Sequence, residues 1–197
     1  MARTGRPRAF DKEEAISKAM VLYWEQGFES TSLAQLKEVM GISSASFYAA
    51  FGSKEALFKE VIDRYKSSYG QVTDCLTDTS ITAKEAIEKA LRQSAKMQTD
   101  SDHPSGCLLV LSASVCSDKN NHVRDLLSYE RSLIRSKLET CIRRGQEEGE
   151  ISDSADAAAL CAMFEAFMYG ISTQAKDGVS HSKIDLAVTQ IMKAIEI

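Results

Sequence analysis

The chain has 197 residues, of which 44% are hydrophobic and 26% charged, with two prolines, ten glycines and 24 basic against 28 acidic side chains, a net charge of −4. At roughly 100 to 200 residues per domain, this is one large domain or a small one joined to a larger one, with enough chain to bury a core, so disorder is excluded and long helices are favoured. The longest apolar run, 157–164, is far short of the ~18 residues a membrane helix needs. The basic start at Arg3, Arg6 and Arg8 leads into Asp11, Lys12, Glu13 and Glu14 instead of an apolar signal segment, so a cytoplasmic protein without membrane contact is expected. Cys75, Cys107, Cys116, Cys141 and Cys161 are odd in number and contain no Cys-x-x-Cys, which suggests neither a disulfide framework nor a metal site.

The global acidity hides an uneven distribution. Residues 1–66 carry ten Lys and Arg against nine Asp and Glu, whereas the rest carries fourteen against nineteen. Arg3, Arg6 and Arg8 all precede the first acid and form an uncompensated cationic arm. On its own such an arm reads as a solvated terminus.

The first helix is announced by Asp11 and Glu14 in capping-box spacing and by Ile16, Ala19, Met20, Tyr23 and Trp24 on one face, with Gly27 as its stop. Ser32 and Gln35 form a second capping box and open a short helix with Leu33, Leu36 and Val39 inward. Gly41 and Ile42 then turn the chain into a further start at Ser43 and Ser44, the pattern of a helix-turn-helix. The helix from Ser44 to Phe51 needs only Ala45 or Phe47, together with Phe51, on its inner side. That leaves Ser43, Ser44, Ser46, Tyr48 and Ala49 outside, small or polar and without charge. A solvated face normally carries Lys and Glu, while an uncharged one suits a surface that enters a groove and meets base edges without carboxylate repulsion from phosphate. Gly52 ends this helix, and Ser53 caps a fourth from Lys54 to about Ser68.

The stretch 31–57, with its Phe47-Tyr48 pair, Phe51 and the Ser53-Lys54-Glu55-x-Leu57 helix start, resembles the DNA-binding domain of TetR/AcrR-family transcriptional regulators. The resemblance covers about residues 10–66 and implies an all-α chain. An N-terminal three-helix helix-turn-helix domain, 1–66 with its arm, would be joined to a larger helical ligand-binding and dimerisation domain, 67–197. It implies further that Ser44, Ser46 and Ala49 lie nearest the bases of double-stranded operator DNA, with Ser43 and Ala45 beside them, and that Tyr48 and Lys54 bind phosphates. Thr31 and Ser32 open the second helix, where backbone amides can hold another phosphate. Attached to such a domain, the Arg3, Arg6 and Arg8 arm is expected to follow the backbone or enter the minor groove.

Beyond residue 68 the periods lengthen. Thr82 and Glu85 cap a helix to about 97, a break at 103–106 precedes a short apolar helix at 107–111, and a long helix is expected over 123–148. An Ala-rich helix follows at 155–175, then a last one with Ile184, Val188, Ile191 and Ile195 on one stripe. The Gly149-to-Asp153 segment also resembles the family pattern ahead of the penultimate helix. That last stripe and the small residues Ala162, Ala166 and Gly170 suggest a homodimer built from the last two helices of each subunit, although some of the stripe must pack on the chain's own core. A two-fold dimer would present its reading helices about 34 to 36 Å apart and require a pseudo-palindromic operator.

The resemblance also implies a cavity for an unidentified small-molecule effector, for which Met97, Leu109, Tyr129, Met163, Phe164, Phe167 and Tyr169 are candidate walls, each of them equally readable as core. Cys107 follows Gly106 at a helix start, where the dipole can lower a thiol pKa, and some relatives with a Gly-Cys-Leu segment respond to oxidants. The alternative for Cys107 is a buried structural cysteine. Release of DNA by a ligand or by cysteine modification is therefore expected of a repressor of this kind.

Enzymes are the competing class. His103, His122 and His181 have Asp100, Lys119 and Gly178 three positions earlier, so no Glu-x-x-His motif is present. There is no phosphate loop, nucleophile elbow or dinucleotide fingerprint, and no cofactor is expected. A helical module that merely sequesters a lipophilic ligand has no use for the uncharged helix after Gly41.

Overall fold

The structure is a computed structural model, and residues 10–112 and 120–195 are described. Nine α-helices follow in order among them: α1 (Lys12–Ser30), α2 (Leu33–Met40), α3 (Ser44–Phe51), α4 (Lys54–Ser68), α5 (Ala83–Gln98), α6 (Leu108–Leu111), α7 (Asn121–Glu147), α8 (Ala157–Lys176) and α9 (His181–Met192). No strand occurs among the described residues. None of these helices is long and apolar enough to cross a membrane. The all-helical reading therefore stands.

Local chemistry explains most of the boundaries. Both expected boxes at α2 and α5 close in full: Ser32 accepts from the Gln35 amide while Gln35 accepts from the Ser32 amide, and Thr82 and Glu85 do the same. At α1 only half the box forms. Asp11 accepts from the Glu13 and Glu14 amides, while Glu14 turns outward to an ion pair with Lys18 at 2.7 Å. Gly27 does not simply stop α1. Its φ of 76° and ψ of 167° bend the helix, and a further turn carries Phe28 into the core at 1% exposure. The Thr31 hydroxyl donates to the Gly27 carbonyl at 2.7 Å and secures that bend.

No motif in the sequence marks the 3-10 helix at Tyr69–Thr77 between α4 and α5. Nine residues is long for that geometry. Val72, Thr73 and Thr77 are β-branched and disfavour α-helix, while Thr73 and Leu76 are buried and keep the segment ordered. The 107–111 segment is a single turn whose N-cap is Cys107, with no side-chain capping bond.

Packing follows two main clusters. The first gathers the aromatic residues of α1 to α4, with Tyr23, Trp24, Phe28, Phe47, Phe58 and Tyr65 at its centre, and continues without a break into Leu108, Leu109, Val123 and Leu127. The second joins α5, α7, α8 and α9. The core of the first four helices thus runs past residue 66 into α6 and the first half of α7, so these four helices (the head) share their apolar packing with the helices that follow (the body).

Candidate nucleic-acid interface and body cavity

The third helix is anchored by Phe47 and Phe51, both buried, with their rings 5.6 Å apart. An eight-residue helix with two such anchors on one side can only present the other side outward. Ser43, Ser44, Ala45 and Ala49 are exposed, Ser46 is half-buried, and Tyr48 is 54% exposed with its ring edge-on to Phe47 at 5.5 Å. Ser43 caps the helix by accepting from the Ser46 amide, and the two hydroxyls lie 3.0 Å apart. The surface therefore consists of hydroxyls, methyls and one phenol on a fixed backbone.

Three other candidates are placed differently. Thr31 is fully buried, with its hydroxyl committed to Gly27, so its side chain cannot reach a phosphate. Ser32 is exposed, but the box takes its own amide and that of Gln35, leaving fewer free donors at the start of α2. Lys54 donates to the Phe28 carbonyl at 2.7 Å and lies 4.2 Å from the Phe28 ring centroid. Burial lowers its pKa, and this ammonium acts first as a strut between α4 and the bend in α1. Arg3, Arg6 and Arg8 lie outside the described residues.

Lys37 is a residue that sequence reasoning misses. Its ammonium donates to the Ser44 hydroxyl at 2.7 Å, so α2 brings a cation to the edge of an otherwise uncharged face. The sequence holds only a weak signal, a lone lysine on α2 seven residues before Ser44.

In the body, a cavity of about 50 Å³ opens between α4, the 3-10 segment, α5, α6, α7 and α8. Met97, Cys107, Leu109 and Tyr169 are on its walls. Tyr129 is not, being 60% exposed on the outer face of α7. Phe164 is fully buried in the second cluster, and Met163 and Phe167 pack against it, which makes these three core residues. The walls also bring together Tyr65, Gln98, Arg131, Arg135 and Glu165, from four separate helices. Arg135 pairs with Glu165 at 2.7 Å, and Glu165 also accepts from the Tyr169 hydroxyl, whose pKa is pushed up to about 12 by burial and then by this carboxylate. Gln98 is buried, donates to Ser94 and accepts from Ser172.

Cys107 differs from the expectation of an activated thiol. Burial pushes its pKa up, outweighing the hydroxyl of Tyr65 that donates to its sulfur at 3.4 Å. A one-turn helix has little dipole to oppose this. Among the described residues, no three His, Cys, Asp or Glu side chains gather where a metal could be held.

The dimerisation candidates divide. Ala162 and Ala166 are exposed on α8, and a side-chain carbon added at Gly170 would meet nothing within 4 Å. Ile184, Val188 and Ile195 are instead buried in the chain's own core, at 1%, 0% and 3% exposure, and cannot serve a partner. Ile191 is half-buried, while Leu186, absent from the expected stripe, is 67% exposed. Arg92 explains the inward turn of α9: it pairs with Asp185 at 2.6 Å and donates to Thr189, holding α9 against α5.

The chain as a whole is similar to known proteins. Residues 15–61 match the model of bacterial regulatory proteins of the tetR family, and residues 83–191 match the tetracyclin repressor-like C-terminal domain. The chain is 30% identical to the HTH-type transcriptional repressor ComR of Escherichia coli K12, covering 91% of this chain and 86% of that one. It is also 30% identical to the repressor BdcR of the same organism, over 95% and 89% of the two chains. A solved structure of a cysteine-substituted CifR, a TetR family regulator complexed with 26-bp operator DNA, superposes with a TM-score of 0.90 at 36% identity, covering 97% of this chain and all of that one. The chain belongs to the TetR family of DNA-binding transcriptional regulators.

Proposed function

We propose that this chain is a transcriptional repressor that binds a pseudo-palindromic operator as a homodimer and releases it when the body cavity is occupied. The observation that carries the reading is the outer face of α3, free of charge from Ser43 to Ala49 and exposed except at the half-buried Ser46. Hydroxyls and methyls there suit base edges and thymine methyl groups, and the Tyr48 phenol suits a phosphate. The names of ComR and BdcR support repression, and the operator complex of CifR supports duplex DNA as the partner. Acting on DNA, the protein would work in the cytoplasm.

The small-residue face of α8 favours close approach of a second copy, with Ala162, Ala166 and Gly170 at its centre. Two-fold pairing would place the reading helices one DNA turn apart, about 34 to 36 Å. Release then needs only a change in that separation. Tyr65 on α4 and Cys107 before α6 both wall the cavity, so a ligand there pushes on the last helix of the head and on the turn packed against it. The Arg3, Arg6 and Arg8 arm adds phosphate contacts on either side.

Selection of bound duplexes from a random pool tests the reading. Enrichment of an inverted repeat with half-sites about one helical turn apart is expected. A pool that yields no repeat, or only a salt-sensitive mixture, contradicts it.

A further inference from the structure

Three side chains from separate helices hold the single turn of α6. The buried Trp24 indole on α1 donates to the Gly106 carbonyl at 3.0 Å, the Tyr65 hydroxyl on α4 donates to the Cys107 sulfur at 3.4 Å, and Arg131 on α7 donates to the Leu109 carbonyl at 2.8 Å. The first two come from the reading head. Tyr65 and Arg131 also stand on the cavity wall.

The charges on that wall do not balance. Its charged residues are Arg131, Arg135 and Glu165, and the Arg135 guanidinium is neutralised by Glu165 at 2.7 Å. Arg131 forms no ion pair among the described residues, and its partner is a main-chain carbonyl. A half-buried guanidinium on a largely apolar wall, without a counter-ion, gains from an anion that brings its own charge into the cavity. Its planar fork matches a carboxylate in two parallel hydrogen bonds. Met97, Leu109, Ile134 and Met168 make the apolar part of the same small cavity, which suits a short hydrocarbon.

We infer that the cavity takes a small monoanion with a short apolar tail, a short-chain carboxylate, held by Arg131. The inference rests on the reading that cavity occupancy governs operator release. The Leu109 carbonyl holds the guanidinium by Nη1 alone, so a carboxylate that draws the side chain into the cavity pulls it off that carbonyl. The turn that also carries the Trp24 and Tyr65 ties then loses its fastening to α7. Arg131 thus acts both as the anion receptor and as the link between ligand and head.

The test uses sodium acetate, propionate, butyrate and valerate against the neutral analogues 1-butanol and butyramide, with ionic strength held constant by sodium chloride. Melting temperature reports binding, and fluorescence anisotropy of the selected duplex reports release. One or more of the carboxylates should raise the melting temperature and weaken operator binding, while the neutral analogues do neither. Arg131→Met should weaken the carboxylate response about tenfold or more, the scale of a missing charge-assisted pair, with Arg131→Lys intermediate. Glu165→Gln provides a second variant: with Arg135 released from its partner, carboxylate binding should tighten. Neutral analogues as effective as carboxylates, an undiminished response in Arg131→Met, or no carboxylate effect on melting would each overturn the inference. Carboxylates that raise the melting temperature but leave the duplex bound would uphold the anion site and refute cavity control. Neutral compounds that release the duplex while carboxylates are silent would do the reverse.

Discussion

The reading head and the body solve opposite packing problems. In the head, Tyr23 meets Phe58 edge-on at 4.9 Å, Trp24 meets Tyr65 and Tyr69 at the same separation, and nothing on its outer helix is charged. In the body, a cavity is left open and charged groups line it. If the body governs operator release as proposed, a densely packed head would carry that signal as a change of position rather than as a change in the reading surface itself. That division predicts where substitutions will act.

The largest expected effect is on the head's core. Phe58→Ala removes a fully buried ring at the centre of the aromatic cluster and should cost about 3 to 5 kcal/mol of stability, read from the midpoint of denaturant unfolding. Because the cluster continues into Leu108 and Val123, the loss should lower one common transition rather than melt the head alone. Two separate transitions would contradict a shared core.

Next come substitutions on the two last helices, which look alike in sequence and are not. Ala162→Arg on the exposed face of α8 should convert a dimer to monomer in sedimentation while sparing the fold. Ile184→Val, buried at 1%, should instead cost about 0.5 to 1.5 kcal/mol of stability and leave association unchanged. A reversed pattern would move the interface from α8 to α9.

Smaller effects separate the groups proposed to meet DNA. Tyr48→Phe should weaken operator binding by roughly tenfold without altering the melting temperature, as expected for one hydroxyl bonded to a charged phosphate. Combined Arg3, Arg6 and Arg8→Ala should reduce the dependence of log affinity on log salt by about 0.9 for each phosphate that is no longer neutralised. The smallest effect concerns Cys107. With its thiol pushed above the ordinary range by burial, it should be alkylated more slowly than a free cysteine at neutral pH, the rate rising as pH climbs past the usual thiol pKa of about 8.5. Fast alkylation at neutral pH would restore the activated-thiol reading.

What could be read in the sequence was local. The Ser32–Gln35 and Thr82–Glu85 boxes, Gly41 with its φ of 66°, and the Phe47 and Phe51 anchors each depend on neighbours within a few positions, and each folds as its spacing demands. The cavity could not be read in this way, because Tyr65, Gln98, Cys107, Arg131 and Glu165 meet only through tertiary packing. Apolarity alone picked out Tyr129, Phe164 and Phe167, of which the first faces solvent and the others pack in the core. The α9 stripe misled for a related reason. An amphipathic helix shows that one face is covered, but not whether its own chain or a second copy covers it, and here α5 does so with the help of Arg92. Lys37 escaped because a surface lysine is ordinary until its ammonium is seen on Ser44.

If the uncharged outer face of α3 reads operator DNA, a carboxylate placed on it should abolish most of the binding. Ala49 is exposed, so Ala49→Glu should leave the melting temperature unchanged. By fluorescence anisotropy at fixed salt, this variant should bind the selected duplex about 100-fold or more weakly than the parent chain, through repulsion from phosphate and an unpaired charge at the base edges. Affinity equal to that of the parent chain would show that α3 does not read the operator.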